Sequence, residues 1–190
     1  PRGLPDTGDR DWWVPMVALL ADGVAPEDLF PMDLDRAYAK LDEIRPHIAV
    51  WWKSGNQLQQ IMRTNEVAMT MAYSGRVVAV TDEGFPWAPS WGEAVRDVGY
   101  MAVAEGAPNA DAAIAFLNFY YQHADGHPDF IRTVKYGTGS AKAAATMTDT
   151  ERAGIATSAE NYPKLVVADY QWIGDNRDML RQRWNDWLTQ

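Results

Sequence analysis

The chain has 190 residues, a formal net charge of −9, a sequence pI near 4.7 and 47% hydrophobic residues. This length predicts one ample globular domain, or one and a fraction, and the acidic charge argues against nucleic acid because phosphate binding needs a basic surface. Cysteine is absent, which excludes disulfides and cysteine-based zinc sites, and no apolar run approaches the length of about 18 residues that a membrane span needs.

Residues 1–10 are rich in Pro, Gly and Asp and predict an extended lead-in segment. They show neither an initiating Met nor the charged-then-apolar pattern of a signal peptide, so we expect a piece of a longer protein whose export signal would lie upstream. Residues 11–20 predict an amphipathic helix. Asp33 suits the cap of a second helix over 34–44, which Pro46 prevents from continuing.

The stretch 48–80 predicts a strand, a helix, a second strand and a second helix. Residues 48–52 form a continuous apolar run, as in a buried strand, and 57–63 can make two helical turns. Residues 67–71 alternate like a strand, and 76–80 resume helical spacing. This βαβ-like order predicts parallel strands with a ligand site beyond their carboxyl ends, although the Ser and Gly there are also ordinary turn residues.

The rest of the chain predicts mostly helices, joined by a loop-like stretch rich in Pro, Gly and aromatic residues. The predicted segments are, in order, a linker over 82–92, a strand over 99–104, a helix over 110–123 capped by Asn109, a helix from Pro128, short helices within 140–160, an apolar segment at 166–167 and a closing helix over 175–188.

Residues that often carry catalysis or bind metals form no convincing constellation. His47, His123 and His127 are scattered, and Pro128 disturbs the one pair with helical spacing. Ser74 lacks the preceding glycine of a nucleophile elbow. The sequence therefore predicts no catalytic residue, no metal and no cofactor, and a small hydrolase that uses Ser74 or a histidine is only a remote alternative.

Several aromatic side chains fall at the ends of predicted elements, where a ring can stack on a solute or enclose a cation. Core or rim packing explains such rings equally well. They are Trp12, Trp13, Tyr73, Tyr100, Tyr136 and Trp172.

The order of these elements and the amino-acid sequences of several stretches resemble those of bacterial ABC-transporter extracellular solute-binding proteins, in particular their spermidine/putrescine-binding branch. The resemblance extends over nearly the whole chain, and the spacing of its parts is more specific than any one motif. Its clearest stretches are PHIAVWWKSG at 46–55, MAYSGR at 71–76, AEGAPN at 104–109, AFLNF at 115–119 and RWNDWL at 183–188.

The resemblance implies a two-lobed α/β fold of the periplasmic-binding-protein type (type II), whose lobes close on a solute and deliver it to a membrane permease. It implies that 1–95 belong to the second lobe, that 96–139 complete the first lobe, and that 140–190 return to the second. It also implies a periplasmic or extracellular location.

Site residues follow from the same resemblance. Trp12 and Trp13 stand where an acidic pair for polyamine ammonium groups is usual, with Asp11 adjacent, and Asp97 lies near a further such position. Eight positions are thereby implied to contact solute: Ser54, Tyr73, Tyr136, Trp172, Trp12, Trp13, Asp11 and Asp97.

We therefore expect a fragment of the substrate-binding component of an ABC importer, which binds a small polar or cationic solute such as a polyamine between two lobes and has no catalytic activity. Its partners would be that solute and an ABC permease. As an alternative, segment 99–138 would expose an apolar helix face, so two copies would associate or exchange that segment in a homodimer with no independent ligand binding.

Overall fold

A computed structural model describes residues 1–190, and its elements are named here in chain order. The strands are β1 (Arg2–Pro5), β2 (Ile48–Trp52), β3 (Met69–Thr70), β4 (Val95–Arg96) and β5 (Val166–Val167). The α-helices are α1 (Trp13–Ala21), α2 (Leu34–Ile44), α3 (Gly55–Arg63), α4 (Ser74–Asp82), α5 (Ala110–Gln122), α6 (His127–Val134), α7 (Ala141–Ala145), α8 (Asp149–Ala153), α9 (Tyr170–Asp175) and α10 (Arg177–Leu188).

The central sheet has three parallel strands in the order β2-β1-β3. The prediction that the strands around α3 are parallel is thus confirmed, but they are not neighbours, because β1 lies between them. The prediction of a mere lead-in segment over 1–10 was wrong for Arg2–Pro5. Gly3 allows the close pairing, since a Cβ there would lie 2.9 Å from Thr70 Oγ1.

Two apolar cores flank this sheet, and the adjacent residues Trp51 and Trp52 reach one each, because neighbouring strand residues point to opposite faces. Trp51 packs edge-on against Trp184 and Trp187, with ring centroids 5.7 Å apart in both cases. The larger core lies there, between α1, α2, α9 and α10. Trp52 is fully buried in the smaller core, beneath α3 and α4.

The capping and pattern predictions for the first helices are confirmed. The Asp33 carboxylate accepts the amide N–H of Arg36 at 3.0 Å, which starts α2 as expected. Pro46 lies in the 3-10 turn over 45–47 that follows α2. The closing helix predicted over 175–188 corresponds to α10, which begins at Arg177, whereas the preceding α9 was not predicted.

The predicted strand over 99–104 was wrong. Those residues form no regular element, and Tyr100 is 83% exposed. A strand needs a partner for its backbone N–H and C=O groups. The partner that exists, β5, pairs instead with β4, through Val95–Val166 and Arg96–Val167.

No helix in the chain combines the length and the apolar character that crossing a bilayer requires.

Candidate functional site

The loops that follow the strands meet at one edge of the fold, because β1, β2 and β3 run parallel and β4 runs parallel to β5. Arg10 Nε, after β1, lies 3.2 Å from Asp97 Oδ2, directly after β4. Tyr170, after β5, donates its hydroxyl to the Arg96 carbonyl at 2.8 Å and packs edge-on against Trp12. Open α/β sheets bind small molecules at such edges, so this edge is the candidate site.

Five side chains that meet at this edge form what we name the strand-end cluster: Arg10, Trp13, Tyr73, Asp97 and Tyr170. The Arg10 guanidinium lies over the Trp13 ring, 4.9 Å from its centroid, and Trp13 meets Tyr73 edge-on at 5.5 Å. Burial alone would lower the pKa of Arg10, but Asp97 and Asp9 raise it overall. The cluster therefore holds one positive and one negative charge within an aromatic frame.

A second group adjoins it, which we name the Arg76 corner: Gln59, Gly75, Arg76 and Tyr136. The Tyr136 ring lies against Gly75, where an added Cβ would be 2.7 Å from two ring atoms. Arg76 Nη1 donates to Gln59 Oε1 at 3.1 Å. Burial raises the pKa of Tyr136, and the charge and hydrogen bond of Arg76 oppose that rise.

The corner and the cluster are neighbours. Burial raises the pKa of Tyr73 most strongly, Arg10 opposes that rise, and Tyr136 adds to it. Tyr73 also directly precedes the first residue of α4, which carries Gly75 and Arg76. Tyr73 therefore links the corner to the cluster.

The structure brings together three of the predicted contact residues, Tyr73, Asp97 and Tyr136. Ser54 caps α3, where its hydroxyl accepts the Gln57 N–H at 3.2 Å, and the next residue of the chain packs against Arg76. Solute contact by these four residues stays a prediction.

The other four predicted residues lie differently. Trp172 is two positions from Tyr170, hence on the opposite face of α9, and packs against Phe30 with centroids 5.6 Å apart. Trp12 and Trp13 are only 6% and 5% exposed and belong to the larger core. Their predicted contact with a solute has no direct support from this arrangement, since the rings are covered.

Asp11 borders a shallow surface depression of about 260 Å³ beside the cluster, together with Tyr170 and Arg177. Burial raises the pKa of Asp11, while Arg181, whose Nε lies 3.7 Å from Asp11 Oδ2, opposes that rise. Asp11 thus already faces a cationic side chain, and it lies outside the strand-end cluster.

Sequence reasoning missed Arg10, Arg76 and Tyr170. A signal was present in each case, since Arg10 and Tyr170 follow strands at the same edge and Arg76 ends the quoted stretch MAYSGR. The missing step was the sheet order, because β1 and β4 were not predicted.

His127 is buried and serves packing. Its Nε2 lies 2.8 Å from the Tyr120 carbonyl and its Nδ1 lies 3.2 Å from Thr138 Oγ1, so both ring nitrogens have protein partners. No group of three or more acidic or histidine side chains is arranged to hold a metal ion.

Comparison with known proteins decides the family. The profile of the family described as bacterial extracellular solute-binding protein matches residues 2–175. This chain belongs to that family. The match covers both groups of side chains described above, and it confirms the family-level resemblance without distinguishing the spermidine/putrescine branch.

Relatives within the solute-binding family agree in sequence and in fold. The gamma-aminobutyric acid (GABA)-binding protein of Pseudomonas aeruginosa is 35% identical over 178 residues, which are 91% of this chain and 50% of that protein. The open, unliganded binding protein AttC of Agrobacterium tumefaciens is 36% identical with a TM-score of 0.81, over 98% of this chain and 57% of its own. A solved GABA receptor is 29% identical with a TM-score of 0.84, over 98% and 57%.

The predicted α/β fold of the periplasmic-binding-protein type is thereby confirmed. This chain spans about half the length of the curated relative it matches.

Proposed function

We propose that this chain is part of the substrate-binding component of an ABC importer, and that it binds a small amino acid of the GABA class at the strand-end cluster. The observation that carries the proposal is that the Asp97 carboxylate lies at the same edge of the fold as the guanidinium groups of Arg10 and Arg76, so an ammonium group and a carboxylate of one solute can each find an opposite charge there. GABA carries a carboxylate and an ammonium group at neutral pH, so it matches such a site. The relatives named for GABA binding support this class.

The aromatic frame suits the same kind of solute. The Trp13 ring lies beneath the Arg10 guanidinium, and the Tyr170 hydroxyl lies 3.5 Å from Asp97, so aromatic side chains border the charged pair on two sides. Charged contacts strengthen when water is excluded, and rings attract an ammonium group. A short flexible amino acid also has few other groups that would need partners.

A polyamine is a poorer match to this arrangement. Two ammonium groups held without water need carboxylates that are free to pair with them. Asp97 can receive one ammonium group beside Arg10, but Asp11 already faces Arg181, so the second ammonium group of a polyamine would lack a carboxylate partner. The polyamine expectation is therefore the second choice within the same function.

The lobe assignment remains part of the proposal: 1–95 and 140–190 would form one lobe, with 96–139 completing the other. One feature supports it. No residue of α5 is buried, and Phe116 and Phe119 are 60% and 59% exposed, so this helix has an apolar surface with no partner in the chain. We further propose that the partner protein is an ABC permease, that the site is periplasmic or extracellular, and that the solute is released chemically unchanged.

The test measures solute binding to the 190-residue chain by saturation-transfer NMR. This method detects complexes with dissociation constants in the millimolar range. GABA, putrescine, glycine and glucose would be compared. We expect saturable binding of GABA and a loss of at least tenfold in Asp97→Asn, because a charged hydrogen-bond partner contributes about 1.5–3 kcal/mol. Asp175→Asn, an exposed change on the far end of α9, is the control and should stay within twofold. Absence of saturable binding by all four compounds would refute the proposal.

The exposed face of α5 also favours self-association as a second candidate. Light scattering at high micromolar concentration would detect a dimer, and Phe116→Ser should shift it to monomer. A strictly monomeric wild-type chain would dismiss this candidate and leave solute binding untouched.

A further inference from the structure

Two cationic side chains near the candidate site, Arg10 and Lys53, already have carboxylate partners. Arg10 pairs with Asp97 at 3.2 Å and also with Asp9. Lys53 Nζ lies 3.4 Å from an oxygen of Asp6. Charge neutralisation within the chain therefore leaves little of their positive charge for an anionic solute.

Arg76 differs from both. Its guanidinium has no carboxylate within 4.0 Å, and Nη1 donates to the neutral amide oxygen of Gln59 at 3.1 Å. The side chain is half-buried, so water compensates its charge only in part. An uncompensated, half-buried guanidinium is the feature that needs an explanation.

The surroundings of Arg76 hold it in place rather than leaving it free. A Cβ added at Gly55 would lie 2.9 Å from Arg76 Nε, so the guanidinium rests directly on the backbone that begins α3. Gln59, which fixes Nη1, is itself only 8% exposed. A fixed guanidinium can present its remaining N–H donors as a fork to a carboxylate with little further loss of conformational freedom.

Nearby charges make the spot more positive still. Arg76 lies in the first turn of α4 and touches the first residue of α3, and helix N-termini carry partial positive charge. Neither of these two helices has an acidic residue in its first turn. The partial positive charge of these two helix starts is therefore not offset by a carboxylate of their own first turns.

We infer that Arg76 is the anion-binding residue of the site, and that it restricts the solute to molecules that bear a carboxylate. The inference rests on the proposed function and deepens it, because it names the residue that selects amino acids over diamines. Ser54 directly precedes Gly55, and the Tyr136 ring packs on Gly75, so both residues border the backbone segments that hold this guanidinium. Arg10 is excluded from the role as long as it remains paired with Asp97.

Ligand pairs on the wild-type chain test the inference without any substitution. GABA would be compared with 4-aminobutanamide, in which a neutral amide replaces the carboxylate, and with putrescine, in which an ammonium group replaces it. We expect GABA to bind at least tenfold more tightly than either. Equal or tighter binding of the amide or of putrescine would overturn the inference while leaving solute binding by this site intact.

Substitutions test the residue itself. Arg76→Gln should weaken GABA binding at least tenfold and abolish its preference over 4-aminobutanamide, and Arg76→Lys should restore part of both, because it restores the charge. Arg63→Gln, at the far end of α3 in an exposed pair with Glu83, removes the same charge and should stay within twofold. Circular dichroism of each variant checks folding. GABA binding by Arg76→Gln within twofold of the wild type would refute the role of Arg76, whereas no solute binding by the wild type would refute the proposed function as well.

Discussion

The effect of Gly75→Ala on the free energy of unfolding should depend on Tyr136. The substitution should be neutral or destabilising when Tyr136 is present and stabilising when it is absent. Gly75 lies in α4, where alanine is favoured over glycine by about 0.5–1 kcal/mol. Against this, the added Cβ would be 2.7 Å from two atoms of the Tyr136 ring, about 0.7 Å closer than ordinary contact. Overpacking of that kind costs about 1–3 kcal/mol unless the ring moves away.

With Tyr136 present, we therefore expect Gly75→Ala to be neutral or destabilising, by up to about 2 kcal/mol. In a Tyr136→Ser background the clash is gone, and the same change should stabilise by about 0.5–1 kcal/mol. The two effects imply a coupling free energy of about 1–3 kcal/mol between the positions, as is typical for residues in contact.

The assay is urea unfolding, monitored by circular dichroism, of the wild type, both single variants and the double variant. Gly174→Ala is the matched control, because it lies in α9 with nothing within 4 Å of the added Cβ. It should give only the favourable helix effect, in either background. Equal stabilisation by Gly75→Ala with and without Tyr136 would refute the contact that defines the Arg76 corner.

Three further changes test the cores, a cap and an ion pair. Trp184→Ala should lower the free energy of unfolding by about 3–5 kcal/mol, because it empties a buried site, whereas the exposed Met179→Ala should change it by less than about 0.5 kcal/mol in urea unfolding. Asp33→Ala should cost about 1 kcal/mol in the same assay, since it removes the α2 cap; no change would mean that the cap is not formed in solution. The hydrogen bond from Arg132 chiefly lowers the pKa of Glu151, from 4.5 to about 2, so its stabilisation is present above pH 4.5 and is lost as the pH falls toward 2. Thermal unfolding of Glu151→Gln should accordingly lose less stability than the wild type between pH 5 and pH 2.5, and identical pH profiles would contradict that assignment.

The Arg10–Asp97 pair shows why site residues were only partly predictable. Tyr73, Tyr136 and Asp97 were found because a resemblance pointed to their stretches, and the fold brings all three to one edge. Arg10 was missed because its importance depends on β1, a strand of only four residues that include Gly and Pro. Its backbone partners come from 48–52 and 69–70, far away in the sequence.

Local patterns were sufficient wherever an element is stabilised by its own periodicity and caps. The helices α1, α2 and α3 and the strand β2 were predicted from apolar spacing and, around α2, from Asp33 and Pro46. These signals depend on interactions between residues that are close in the sequence. The family followed from the order of such stretches. These properties the sequence determined by itself.

Tertiary structure decided what depends on pairing between distant segments. The apolar run 99–104 looks like a strand but has no partner, while the two-residue strands β4 and β5 exist because they have each other. Trp12 and Trp13 fall at a helix start, yet packing from α9 and α10 buries them. The structure was also needed to see that carboxylates neutralise Arg10 but not Arg76. Ion pairing depends on the distance between charged groups in space, and the loops that meet here come from separate strands.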